Sequence, residues 1–440
     1  MSTQLRLKLE SLRGPGRAPR VAAPPRLEPD GRALAELGFG WDRERRLWVR
    51  RWRARFATLG LEGASLAPGG LRQLHRSLPA AGGTLVCFDL ETTGLQRGTG
   101  TVPFLYGWAV VDGDWVEVQQ WLLPNLGRER PLVEAALGML RGAGTLVTYN
   151  GASFDLPLLR TRALMAGVDV AWPAPSHLDL LPLVRRLFRH RMSRCSLQRA
   201  EQELLGRKRS DDLPGSAAPE RYRAYLSSGA VQQLDAVLRH NQEDLVSLLR
   251  LLEHLVRHLD REPDHPSDWY SLGRYREARG EWGRARALYR RAVSTSPPPL
   301  DRAAALRHAR LLRRQGEDGE AREAWRSIWE RWGDPEAAEA LCVELEHQRA
   351  DPAAALALAQ EALRRAPVGW DRRFAKRIWR LQARLNLAAS PPEPTAAGEA
   401  SQRPWAAWLP GGISYEAWLT LKRGRPSRHR SPVAGRAGPT

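Results

Sequence analysis

Cysteine is scarce in this 440-residue chain. Cys87, Cys195 and Cys342 are far apart and odd in number, so they make neither a disulfide framework nor a zinc cluster. Lysine is almost as rare, at four of 68 basic residues. With so much Ala, Gly and Pro, this points to a GC-rich coding sequence that selects Arg. Long apolar runs are missing as well. None approaches the ~18–20 residues needed to span a bilayer. The first twenty residues alternate Arg with Gly and Pro and lack the apolar stretch of a secretory signal. These absences exclude a secreted or membrane protein and imply a cytoplasmic one.

What is present reads as globular: 42% hydrophobic and 27% charged residues, with a length that suits two to three domains. The formal charge is +19, more than a preference for Arg over Lys explains. The excess gathers at the ends. Residues 1–80 carry 16 basic and 7 acidic groups, and residues 391–440 carry 7 and 3. A polyanionic partner such as DNA or RNA would meet that charge. Basic tails that only keep the protein soluble would account for it too.

Four stretches follow from composition and periodicity. Residues 1–80 form a basic N-terminal segment, partly disordered around Pro24 and Pro25. It has a more organised part near Ala33–Leu61, where Arg43, Arg45, Arg46, Arg50, Arg51, Arg53 and Arg55 interleave with Trp48, Trp52 and Phe56. Guanidinium and aromatic groups in alternation suit phosphate contact with base stacking. They suit equally an amphipathic segment docked through Trp48 and Trp52. Residues 81–260 form a first folded domain. Apolar β-rich runs at Thr84–Leu90, Phe104–Val111, Trp115–Leu122 and Thr145–Tyr149 are followed mainly by helical patterns, the last from about Ala230 to Leu259. Asp112-Gly113-Asp114 predicts a hairpin. The class is α/β, a mixed central sheet flanked by helices. Residues 261–390 are all-α and repetitive. Trp269, Leu272, Gly273, Ala285, Tyr289, Ala292 and Pro297 match the tetratricopeptide (TPR) pattern, except that Arg276 stands where an aromatic is usual. Weaker copies carry Ala309, Leu312, Ala321, Trp325 and Ile328, then Ala355, Ala359, Ala362 and Pro367. TPR-like repeats imply a protein partner. Residues 391–440, rich in Pro, Ala, Gly and Arg, read as mostly disordered, with an apolar patch at Trp405–Trp418.

The chemistry is carried by acids. Asp89 and Glu91, at i and i+2 near the end of an apolar strand, project to the same side. Like charges so close in apolar surroundings need a counterion. Hard oxygen donors favour Mg²⁺ or Mn²⁺ over zinc. A third acid, Asp155, begins a helix just after the Thr145–Tyr149 strand. A fourth, Asp244, lies four residues after His240 on one face of the long helix.

Together these segments closely resemble the DEDD superfamily of exonucleases with a ribonuclease H-like fold. Asp89 and Glu91 match its first motif, Asp155 its second and Asp244 its third. Within it, the chain is most similar to the YprB-like family of ribonuclease H-like exonucleases. The matching features are Gly98–Thr101 with Phe104, Val147–Asp155, His177–Leu181, Ser196-Leu197, Asp212-Leu213-Pro214-Gly215, Tyr222, Tyr225 and His240-Asn241. The resemblance spans about residues 84–256. That family often carries C-terminal TPR repeats. One departure stands out: the superfamily has a Tyr four residues before its last Asp or a His five before it, and here a His takes the four-residue spacing.

The resemblance implies a metal-dependent nuclease. The expected activity is 3′→5′ exonucleolytic hydrolysis of phosphodiester bonds in single-stranded or frayed nucleic acid. Asp89, Glu91, Asp155 and Asp244 would bind two Mg²⁺ or Mn²⁺ ions roughly 4 Å apart, and His240 would deprotonate the attacking water. Asn150 and Thr92, with Arg46, Trp48, Arg51 and Trp52, are candidates for substrate contact. Asn150 and Asp179 have structural roles open to them as well. The alternative is a nucleic-acid-binding TPR adaptor whose nuclease-like domain is weakly active or inactive. A third reading is an endonuclease with the same chemistry.

Overall fold

The computed structural model describes residues 30–75, 78, 83–94, 100–168, 176–209, 213–214 and 217–385. Pro24 and Pro25, Gly98 and Thr99, Asp212, Gly215 and the 391–440 tail with its Trp405–Trp418 patch lie outside the described residues. The chain divides into two units, one ending at Trp332 and the other beginning at Gly333.

The first unit is built on a seven-stranded mixed sheet. Its strands are β1 (Phe39–Asp42), β2 (Leu47–Arg55), β3 (Leu85–Thr92), β4 (Pro103–Asp112), β5 (Trp115–Leu122), β6 (Thr145–Thr148) and β7 (Ser176–Asp179), and the short helices α1 (Gly31–Glu36), α2 (Phe56–Leu59) and α3 (Pro68–Leu74) precede β3. The spatial order is β1-β2-β5-β4-β3-β6-β7. Neighbours run antiparallel as far as β3, and β6 and β7 then run parallel to it. The Asp112–Asp114 turn closes the expected β4–β5 hairpin. Asp112 pairs with Trp115, and Gly113 takes φ +57°, a left-handed conformation that glycine adopts without a Cβ clash.

Alternation with period two gives the sheet two dissimilar faces. On one, Phe88 stacks on Trp108 at 4.2 Å, and Trp108 lies 5.2 Å from Trp121. Leu132, Val133, Ala136, Leu137 and Leu140 of α4 (Glu129–Gly142) complete that core. On the other, Cys87, Ala109, Val116 and Val118 meet the apolar stripe of α9 (Asp235–Asp260), which repeats as Leu245, Leu248, Leu249, Leu252 and Leu255. Asp89 and Glu91 share the parity of Cys87, so they point to the α9 side.

The basic N-terminal segment supplies the sheet edge. β1 and β2 form a hairpin beside β5, with Trp48 opposite Leu122 and Trp52 opposite Val118. From Phe56 the chain crosses to α9. There the buried Glu253 carboxylate accepts the backbone N–H groups of Glu62 and Gly63, both at 2.9 Å. Arg250 donates to the Leu59 carbonyl at 2.8 Å.

Four further helices complete this unit: α10 (Asp268–Ala278), α11 (Trp282–Thr295), α12 (Leu300–Arg314) and α13 (Asp318–Trp332). The small and large positions of the repeat pattern meet as expected. A Cβ on Gly273 would lie 2.7 Å from the Tyr289 ring, and Ala285, Ala292, Ala309, Ala321 and Trp325 are buried. Arg276, the exception, is buried and donates to the Leu259 carbonyl at the end of α9 and to Glu281. Beside it, the Tyr275 hydroxyl reaches the carbonyls of Gln73 and Leu74. These two side chains fasten α10 to α3 and to α9, so a polar group stands where the pattern expects an aromatic. The second unit contains α14 (Pro335–His347), α15 (Pro352–Arg365) and α16 (Asp371–Arg384). Its Ala355, Ala359 and Ala362 are buried, and Glu346 pairs with Arg377 and Arg380. The helical region is consistent with repeats.

Candidate active site

Three elements bring the four acids together. Strand β3 delivers Asp89 and Glu91, and a register shift between Glu91 and Thr92 marks where its ladder with β4 is interrupted. Helix α5 (Asp155–Met165) begins with Asp155. Its entry is a tight turn in which Asn150 takes φ +67°. The Asp179 carboxylate pins this turn, accepting the N–H groups of Asn150 at 2.7 Å and Ala152 at 3.1 Å. It also accepts that of Leu181, capping α6 (Leu180–Phe188). Asp179 therefore acts on the backbone that presents Asp155. Gly151 is needed there because a Cβ would fall 2.4 Å from the Thr148 hydroxyl oxygen.

Helix α9 contributes Asp244, His240 and Asn241. It approaches β4 closely at Gly107, where a Cβ would lie 2.4 Å from the Asn241 amide oxygen. That approach aims Asn241 at the site, and its Nδ2 donates to Asp89 Oδ2 at 2.8 Å. Gln120 steadies the amide from behind. Its Nε2 donates to Asn241 Oδ1 at 3.0 Å, and Arg50 donates to its Oε1 at 2.8 Å.

The acids disturb one another as expected for a cluster. Burial pushes Asp89 well above the usual carboxylate range, helped by Asp244, Glu91 and Asp155. Glu91 is raised by burial and then by Asp244 and Asp155. Burial lifts Asp155 to about 7, although backbone N–H groups at Asp155 and Leu90 oppose the rise. Asp244 is also raised by burial, against His240 and Arg209. The His240 Nε2 lies 4.0 Å from Glu91 Oε1 and 3.7 Å from Asp244 Oδ2. Hard carboxylate oxygens under mutual repulsion are a donor set that fits Mg²⁺ or Mn²⁺. Among the described residues, however, no three acid, His or Cys side chains converge closely enough to hold an ion as placed.

Sequence reasoning missed Arg209. Its Nη2 donates to Asp244 Oδ1 at 2.5 Å, and its Nη1 lies 3.3 Å from His240 Nδ1. Its Nε and Nη2 both bind Glu201. Arginine can only donate, so Nδ1 accepts, and the neutral ring carries its proton on Nε2. In the sequence Arg209 closes the basic run Arg207-Lys208-Arg209, and its pairing with Glu201 of α7 (Leu197–Leu204) appears only in the fold.

The candidate substrate residues are scattered. Thr92 is buried, and its hydroxyl donates to the Gly94 carbonyl at 2.8 Å. Arg46, Trp48, Arg51 and Trp52 lie on the β1–β2 hairpin, three strand spacings or about 14 Å from β3. Trp48 packs against the core and meets Trp41 edge-on at 5.4 Å. Trp52 packs against the core on the α9 side. Arg51 pairs with Asp42 at 2.9 Å, and Arg46 is exposed at the hairpin turn with φ +58°. Tyr222 and Tyr225 of α8 (Ala217–Ser228) are structural: their hydroxyls donate to the carbonyls of Leu123 and Pro124.

Residues 86–256 match the model of the RNase_H superfamily, so the acid cluster lies in an RNase H-superfamily domain, a class typically composed of hydrolytic nucleases that use divalent metals. The chain is also 34% identical over 301 residues to the Uncharacterized protein YprB of Bacillus subtilis (strain 168), an alignment covering 66% of this chain and 72% of that protein. The chain belongs to the YprB-like family. Among solved structures, the family B DNA polymerase from the hyperthermophilic archaeon Pyrobaculum calidifontis shares 17% identity at a TM-score of 0.32, over 51% of this chain and 27% of the polymerase. No helix among the described residues is long and apolar enough to cross a membrane.

Proposed function

We propose that the protein is a metal-dependent 3′→5′ exonuclease acting on single-stranded or frayed DNA or RNA. The observation that carries this is the meeting of Asp89, Glu91, Asp155 and Asp244 from three separate elements, each raised by burial and Asp89 and Glu91 also by their neighbours. No packing need explains four such acids drawn from three elements. Asp89, Glu91, Asp155 and Asp244 would hold two Mg²⁺ or Mn²⁺ ions. Ions bound there would supply Lewis acidity toward the scissile phosphate and its leaving 3′ oxygen.

The chain's own groups do the rest. Asn241 orients the Asp89 carboxylate, and the Asp179-pinned turn fixes Asp155. His240 takes the proton of the attacking water through Nε2, which requires its own proton to sit on Nδ1. That in turn requires Arg209 to leave Nδ1. The scattered cysteines and the helical repeats are read as marks of a cytoplasmic enzyme with a protein partner.

One observation favours a second reading, a nucleic-acid-binding adaptor with a weakly active nuclease domain: Arg209 occupies Asp244. The test is incubation of full-length protein with 5′-labelled DNA and RNA strands in Mg²⁺, Mn²⁺ or EDTA. A ladder shortening from the 3′ end with metal, and none with EDTA, is expected. Retention without cleavage under every metal condition would favour the adaptor. Internal cuts on circular strands would make the enzyme an endonuclease.

A further inference from the structure

The nuclease reading gives no role to a buried cation beside the acids, Arg209. The Arg209 side chain is 8% exposed, and the Glu201 carboxylate behind it is 2% exposed. Glu201 stands on α7, apart from the four acids, and holds Arg209 through both Nε and Nη2. The guanidinium is thus anchored by one carboxylate and aimed at another. Forward, it takes Asp244 Oδ1 at 2.5 Å and faces His240 Nδ1 at 3.3 Å.

We propose that Arg209 is the site's resident cation and its gate: it holds Asp244 in the absence of substrate and yields that carboxylate to a divalent ion when a nucleic-acid phosphate draws the guanidinium away. The proposal rests on the nuclease reading of the acid cluster. Two further features support it. A fixed positive charge against one carboxylate opposes a second cation there. The planar guanidinium also matches phosphate oxygens bidentately, as it does a carboxylate.

Space for that phosphate adjoins the group. A cleft of about 390 Å³ is lined by Arg209, His240 and Asp244 together with Leu197, Leu213 and Pro214. Nη2 is shared by Glu201 and Asp244, whereas Glu201 also holds Nε, so Nη1 and Nη2 can turn to the cleft while the Nε bond keeps Arg209 in the fold. The same turn releases Asp244 for metal and His240 Nδ1 for its proton. Metal loading and the base's tautomer are then coupled to substrate, which keeps an idle enzyme from being fully charged with metal. A purely structural Arg209 would tie α7 to α9 and leave metal affinity indifferent to nucleic acid.

The test is calorimetric titration of Mn²⁺ into metal-stripped, full-length protein, with and without a single strand whose 3′ linkages are phosphorothioate. The wild type is expected to bind one ion tightly and a second about tenfold or more weakly, the gap closing when the strand is added. Arg209→Gln is expected to bind both ions tightly without the strand, whereas Arg209→Lys, which keeps the charge, stays like the wild type. Arg209→Gln leaves Glu201 buried and unpaired, so the double variant Glu201→Gln/Arg209→Gln serves if the single one fails to fold. Identical Mn²⁺ binding by the wild type and both Gln-bearing variants overturns the gate while leaving metal-dependent cleavage intact. A Lys variant that behaves like the Gln variants overturns it as well. No Mn²⁺ binding by any of the proteins overturns the gate and the metal-dependent reading together.

Discussion

Asp155 is where the electrostatics of single residues become measurable. Burial lifts its carboxyl to about 7 from the 3.8 of the free group. A raised acid favours the fold while protonated, so metal-free stability falls as pH climbs from about 4 to about 7. Asp155→Asn removes that loss. The variant should be more stable than the metal-free wild type at pH 8, by on the order of 2–4 kcal/mol from a shift of this size, and no more stable at pH 4. Urea titrations in EDTA at the two pH values measure it, and equal stabilities at pH 8 would contradict a strained acid. Asp89 and Glu91 were legible at this scale because period-two alternation needs only the chain itself. Arg209 was not, because its meaning depends on Glu201 and Asp244, which reach it from two different helices.

At the scale of elements, the contact between α9 and β4 organises the site. It is possible only because position 107 lacks a side chain. Gly107→Ala would put a methyl group 2.4–2.8 Å from the Asn241 amide, displacing the donor that orients Asp89. The cost should be about 1–3 kcal/mol of stability, with a fall in turnover at saturating metal. Unchanged turnover and melting temperature would show that the approach is looser than described. The long strands and α9 could be read from periodicity, since each carries several apolar repeats. The four-residue β7 could not: Ser176-His177-Leu178-Asp179 has one apolar residue, and parallel pairing with β6 makes it a strand. The β1–β2 hairpin was hidden for the opposite reason, because Arg51, Arg53 and Arg55 crowd the exposed face of β2 and look like a nucleic-acid-binding run. Arg276 departs from the repeat pattern in the sequence, and its reason, the Leu259 carbonyl at the end of α9, exists only in the fold.

The whole molecule carries +19, and the described part of the basic N-terminus is built into the sheet. Deleting residues 1–60 would remove two of the seven strands, so it confuses binding with folding. Replacing the exposed turn residues Arg43 and Arg46 with Ala is cleaner. If the hairpin meets phosphates, the salt slope of single-strand binding should fall by about 1.4 for two lost contacts, with melting unchanged. An unchanged slope would make the hairpin purely structural.

The central claim is that four acids form one metal-dependent centre, and Asp89→Asn tests it most directly. This substitution keeps the size of the side chain and removes one metal-binding charge. Cleavage of an end-labelled single strand should be followed for the wild type and variant in saturating Mg²⁺ or Mn²⁺, beside circular dichroism melts. The variant should lose at least about 100-fold in rate while melting at or above the wild-type temperature. Cleavage by Asp89→Asn at the wild-type rate would contradict the assignment.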